Sequence, residues 1–330
     1  PNLDRLAAEG VRCARAFTCQ PVCGPARAAL QTGTYPTATG CFRNDICLPP
    51  GIVTVPRLLT AAGYDTAYIG KWHLASQDHR RPMPDRFSGA CADRAVPPER
   101  RGGWDGHWLA SDVLEFTSHA YDGWMWDGDG RRRDFPPGRY RADVLGDWAL
   151  EWLEQRRRDR PFVLFVSWIE PHHQNDQRRH VGPAGGAARF AGFTPPGDLA
   201  ALPQGNWARE YPEYLAACAA VDANVGRIRA GLERLGCLDD TLIAYSADHG
   251  SHFKTRNGEY KRSAHDASLH IPLVLRGPGF RGGAVADGLA SLIDLPPTLL
   301  TAAGMPVPEH WHGRPLQDLA AGAPWRDDVF

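Results

Sequence analysis

Three short stretches of the chain carry side chains able to move protons, hold a cation or neutralise an anion. They are Lys71-Trp72-His73, His172-His173 and Asp248-His249-Gly250. A fourth, "CGPAR", sets Cys23 ahead of Pro25 and Arg27 at the start of a helix-like run. Lysines and arginine can neutralise a tetrahedral polyanion, imidazoles can donate or accept protons, and a carboxylate can hold a hard cation. Phosphate and sulfate esters are the natural substrates for such a set. Taken singly, each residue has an ordinary reading: Asp248 as a cap, His172 or His173 as a loop histidine, Lys71 as a solvated charge at a strand end. Their common position is what points to chemistry.

That position follows from the elements. Apolar, β-branched or aromatic runs at 64–70, 161–169, 240–247 and 271–277 read as buried strands of a parallel sheet. Helix-period stretches at 55–63, 142–157, 211–236 and 290–304 alternate with them, which predicts an α/β fold with helices on both faces of a mostly parallel sheet. In such sheets ligands bind beyond the carboxyl ends of the strands. The first three runs lead into Lys71, into His172 and into Asp248, so parallel strands would bring these groups to one edge. Ser76 to Arg139 and Gln174 to Gly205 read as long irregular excursions, of the kind that cover a site.

The 330 residues can bury a large core, and a net charge of −1 with 43% hydrophobic residues gives no bulk attraction for nucleic acid or anionic membrane. No apolar run is long enough to span a bilayer. The opening "PNLDRLAAEG" reads as an amphipathic helix rather than a signal peptide, so export is not decided. Of 37 lysines and arginines only three are lysine (Lys71, Lys254 and Lys261). In a chain this biased to arginine, lysine should persist where a compact, strongly hydrated point charge is needed. Cys13, Cys19, Cys23, Cys41 and Cys47 cluster in sequence, which leaves a disulfide or a metal knot open, although no paired CxxC spacing supports zinc.

"CGPAR" fits the Cys-x-Pro-x-Arg signature of type I sulfatases, in the alkaline phosphatase superfamily, and "AALQTGTYP" follows it as in that family. "PNLDRLAAEG", "GYDTAYIGKWHL", "EPHH", "SADHG" and "SLIDLPPTLLTAAG" resemble further sulfatase blocks in the right order. The resemblance implies a sulfatase catalytic domain over residues 1–330, lacking the family's first strand, with its paired aspartates, and most of a C-terminal subdomain. It also implies that a maturation enzyme converts Cys23 to formylglycine, while Cys19, with Cys23 where the signature has arginine, stays a thiol. One hydroxyl of the hydrated aldehyde would attack sulfur, and the other would release sulfate.

Carried over by motif position, Cys23 is the nucleophile precursor and a metal ligand, and Arg27 holds the diol. Lys71 contacts the sulfate and His73 the formylglycine. His172 protonates the leaving oxygen, with His173 as the alternative; Lys261 is the second sulfate lysine, with Lys254 as the alternative. Asp248 and His249 bind the cation, expected to be Ca²⁺ with Mg²⁺ or Mn²⁺ as alternatives. The implied substrate is a sulfated small molecule or oligosaccharide; Trp104, His107, Trp108, Trp124 and Trp126 are candidates to stack on sugar rings and hydrogen-bond hydroxyls, the alternative being that these tryptophans pack the loop onto the sheet. A phosphonate monoester or phosphodiester hydrolase using the same nucleophile, or a non-catalytic binding protein on this fold, is the alternative function.

Overall fold

The computed structural model describes residues 1–76, 91, 93–202 and 204–330. Residues 77–90 of the excursion expected after Ser76 lie outside that set. The architecture is α/β, as expected, with mixed sheets. Nine strands occur among the described residues: β1 Val11–Phe17, β2 Asp65–Lys71, β3 His107–Ser111, β4 Trp124–Asp127, β5 Arg132–Asp134, β6 Phe162–Ser167, β7 Ile243–Ser246, β8 Leu273–Arg276 and β9 Ala284–Ser291. One sheet runs β5-β4-β3-β2-β6 and the other β7-β8-β1-β9.

The middle of the first sheet is parallel. β2 pairs in register with β3 (Lys71 opposite Ser111) and with β6 (Gly70 opposite Ser167). Six of its seven residues are buried, the burial expected of a parallel strand covered on both faces. Gly70 has φ 117°, and a Cβ there would lie 2.1 Å from the Ser167 carbonyl oxygen, so close pairing with β6 requires glycine. The second sheet departs from expectation, because β8 runs antiparallel to both β7 and β1. The connection from β7 to β8 holds only the short helix Asp266–Leu269 and folds back over the site, whereas a parallel return usually needs a full helical crossover.

β3 lies inside the stretch read as an excursion, and it carries Trp108 into the core. Trp108 and Trp104 are buried with Tyr68, Trp72 and Phe165 in one aromatic layer. Tyr68 stacks on Phe165 at 5.1 Å and on Trp108 at 5.3 Å between ring centres. The helix Arg141–Gln155 packs beside the helix Trp207–Arg234 through Asn224 Nδ2, which donates to Asp143 Oδ1 at 2.8 Å. From that second helix Asp222 caps helix α1 (Asn2–Glu9), accepting from the Asn2 and Leu3 backbone N–H groups at 3.0 and 2.8 Å.

Candidate active site

Helix α2 (Cys23–Thr32) begins with Cys23 itself, after an extended Val22. Proline at position 25 loses nothing there, because first-turn N–H groups have no intrahelical acceptor. The neighbouring Gly24 N–H donates to Asn44 Oδ1 at 2.9 Å. One turn on, the Arg27 guanidinium joins three chain segments. Its Nη1 donates to the Lys71 carbonyl and to Ser167 Oγ, both at 2.7 Å, and its Nε to Asp248 Oδ2 at 3.1 Å. The ends of β2 and β6 and the turn after β7 are thereby pinned to the head of α2.

Around the Cys23 sulfur stand Lys261 Nζ at 2.9 Å, His249 Nε2 at 3.3 Å and Lys71 Nζ at 3.9 Å. Burial alone would raise this thiol, but the Lys261 and Lys71 charges, the adjacent His249 and a hydrogen bond with His172 bring it well below its ordinary value. Cys19, four residues earlier, has no such neighbours, and burial pushes it up to about 12. Two cysteines four residues apart thus differ by their charged surroundings.

His172 sits with Nδ1 2.6 Å from the His173 carbonyl and Nε2 3.0 Å from the Tyr260 hydroxyl. Burial, then the Lys71 charge, pushes it down to about 4. His173 instead stacks on Tyr260 and meets His180 edge-on, and neither of its ring nitrogens has a hydrogen-bond partner. His73, at φ 59°, lines the same cleft with Nδ1 unpaired. Lys254 also lines the cleft, away from the thiol contacts that Lys261 makes.

Cys23 Sγ, Asp248 and His249 offer donor atoms within 4.8 Å of one another, the one such group among the described residues. His249 Nδ1 lies 2.8 Å from the Gly250 carbonyl, so it carries the proton and leaves the Nε2 lone pair facing Cys23. A carboxylate, this lone pair and the side chain at position 23 fit part of a divalent cation's inner shell. The cleft, about 540 Å³, is lined by residues that include Cys23, His73, Glu115, Phe116, His172, Tyr260 and Lys261.

The family profile described as Sulfatase matches residues 1–305. The chain belongs to the sulfatase family. It is 30% identical to an ulvan-active sulfatase of Formosa agariphila over 97% of its own length and 60% of the relative's. To the N-acetylglucosamine-6-O-sulfatase of Bacteroides thetaiotaomicron it is 26% identical, covering all of this chain and 69% of that one. A solved structure concerned with the metabolism of multiple glycosaminoglycans by Bacteroides thetaiotaomicron superposes with a TM-score of 0.80 at 26% identity, over 97% of this chain and 68% of the other. The fold is also that of a structure holding D-glucosamine-2-N,6-O-disulfate as substrate, with a TM-score of 0.78 at 24% identity over 99% of this chain and 76% of that one. The chain thus spans about 60% of the length of the first of these relatives.

Several expectations change in this member of the family. None of Trp104, His107, Trp108, Trp124 and Trp126 lines the cleft. Trp104 and Trp108 are core, His107 lies against Trp152, and Trp124 is covered by Arg132 at 3.9 Å from its ring centre. All eight cysteines are free, so the sequence cluster is no disulfide knot.

Glu115 was missed and is the main addition. Buried, it accepts from Lys71 Nζ at 3.0 Å. Burial alone would raise its carboxyl, but Lys71, His172 and His73 hold it well below the ordinary carboxylate range. Tyr260, on His172, and Ser167, on Arg27, were missed as well. No local pattern marks Glu115, which lies 44 residues from its lysine.

Proposed function

We propose that this chain hydrolyses a sulfate ester of a carbohydrate, with Cys23 working as formylglycine. The observation that carries the reading is the placement of the Cys23 side chain at a helix head between Lys71, Lys261 and His249. A nucleophile there faces an anion site of fixed positive charge. The names of the relatives, which concern ulvan and N-acetylglucosamine-6-O-sulfate, support a sulfated sugar as substrate.

Formylglycine, in its hydrated form, supplies an oxygen nucleophile and a built-in route to sulfate release. Asp248 and His249, with the oxygen at position 23, would hold a divalent cation, for which Ca²⁺ is the proposed identity; bound there, it would withdraw charge from the sulfate oxygens. Lys71 and Lys261 neutralise the sulfate. Glu115 fixes the position of Lys71, and Arg27 orients the strand ends that carry Lys71 and Asp248. His172 Nε2 accepts the Tyr260 hydroxyl proton in the resting site, and an arriving anion favours its protonation. Once protonated it can donate to the leaving oxygen.

Intact-protein mass spectrometry from a host with the maturation enzyme tests the nucleophile. Conversion of Cys23 lowers the mass by about 18 Da, sulfur and hydrogen being exchanged for oxygen. An unmodified Cys23 in such a host, with Cys23→Ser turning over 4-nitrophenyl sulfate as fast as wild type, would remove the mechanism. Faster hydrolysis of a phosphonate monoester than of the sulfate would move the reaction to phosphorus.

A further inference from the structure

We infer that Lys254 and Arg178 form a second anion subsite at the rim of the Cys23 cleft, so that the substrate carries a further negative group, a carboxylate or another sulfate, on or beside the sugar that bears the scissile ester. This inference rests on the sulfatase reading of the site and narrows its substrate class.

The first observation is the pattern of lysine use. Only three of 37 basic side chains are lysine, and two of them, Lys71 and Lys261, stand at the Cys23 sulfur. The third, Lys254, lines the same cleft. Its side chain is half-buried, and it makes no ion pair or hydrogen bond with any described residue. The second observation is how the other cations there are satisfied. Lys71 is held by Glu115, Lys261 contacts Cys23 and His249, and Arg262 is gripped by both carboxylate oxygens of Glu259 at 2.9 Å. Of the lysines and arginines that line the cleft, Arg178 and Lys254 alone have side chains with no hydrogen bond or ion pair to a described residue.

Both also sit at positive φ, 53° for Arg178 and 62° for Lys254, conformations that cost a residue with a Cβ about 1 kcal/mol or more. Neither is a glycine, although a turn alone would favour one. Phe116, 62% exposed, lines the cleft as well and offers an apolar face to a pyranose ring. The cleft therefore presents charge at its floor, an apolar platform, and unpaired charge at its rim. A ring that stacks on Phe116 with its sulfate at Cys23 would turn a second anion toward Lys254 and Arg178.

Binding calorimetry tests this on the intact protein with three probes: a neutral monosaccharide monosulfate, the same sugar disulfated, and a monosulfated uronate. Wild type should prefer at least one dianion to the monosulfate. The double variant Lys254→Gln, Arg178→Gln should reduce that preference about tenfold, or about 1.4 kcal/mol. Lys254→Arg, which keeps the charge, should recover much of it. Whichever dianion loses more identifies the group as sulfate or carboxylate. A wild type without preference for either dianion, or a double variant that weakens the monosulfate and the dianions equally, overturns the subsite. If the preference disappears in the double variant while wild type hydrolyses no sulfate ester, the subsite stands and the sulfatase reading falls.

Discussion

Strand β2 and the residue after it contribute to two regions that are equally buried and opposite in kind. Tyr68 and Trp72 enter a layer of rings with Trp104, Trp108 and Phe165, while Lys71, between them in sequence, enters a cluster of charged and titratable groups with Glu115, Cys23 and Lys261. Lys71 and Trp72 are each exposed by no more than 1%. The aromatic layer gains from every square ångström removed from water. The polar cluster gives up hydration, and much of the return is electrostatic order around Cys23 rather than stability. The apolar region holds the strand ends still, and the polar region uses that stillness.

Substitution at Cys23 should separate the two regions most sharply. Cys23→Ala is expected to lower turnover of 4-nitrophenyl sulfate by about 10⁴-fold or more. Thermal melts of the same variant should fall by less than those of a core tryptophan variant, because a group facing Lys71 and Lys261 is lost but little apolar surface is removed. An equal drop in melting temperature would mean that the cluster contributes to folding as the ring layer does.

The reverse experiment is Trp108→Ala. Removing a buried indole between Tyr68 and Trp72 should cost about 3–5 kcal/mol in denaturant melts, while rates per folded molecule change little. A selective loss of turnover with normal stability would return Trp108 to the substrate.

Glu115→Gln lies between these cases. It strips the carboxylate from buried Lys71 and should cost about 2 kcal/mol at pH 7. Because the folded Glu115 carboxyl is held below its ordinary range, its contribution is present above the unfolded value of about 4.3 and is lost as pH falls toward the folded one. Chemical denaturation at neutral and acid pH should therefore show the wild-type advantage shrinking on acidification. An advantage that is constant with pH would make the pair a packing contact only.

The smallest effect concerns His172, whose folded value of about 4 lies below the ordinary histidine value of about 6.5. As pH falls between these values the unfolded chain takes up the proton first, so stability should decline across that window and level off below it. His172→Gln should remove that part of the slope.

Much of the site was legible because its residues occur in short runs at the ends of strongly apolar strands. Cys23 with Arg27, Lys71, His172, Asp248 with His249 and Lys261 all come together at the sulfur or on Arg27. Less legible was whatever depends on partners far along the chain. β3 was overlooked because "HWLAS" lacks an apolar run and is buried by its neighbours. Of the tryptophans considered as sugar platforms, Trp104 and Trp108 are core, because β3 places Trp108 against Tyr68, 40 residues upstream. The exposed ring at the cleft is Phe116, which nothing in its local pattern singles out.

By itself, the sequence determined which side chains could do chemistry, the local elements that carry most of them, and, through ordered motifs, the family. Those are properties of neighbouring residues: periodicity, capping and signature spacing act over a turn or a strand. Only the tertiary structure decided the antiparallel course of β8, the pairing of Lys71 with Glu115, the different surroundings of His172 and His173 and the arrival of Lys254 and Arg178 in one cleft. Each of these depends on contacts between distant segments, where burial and charge are set by what the fold brings alongside.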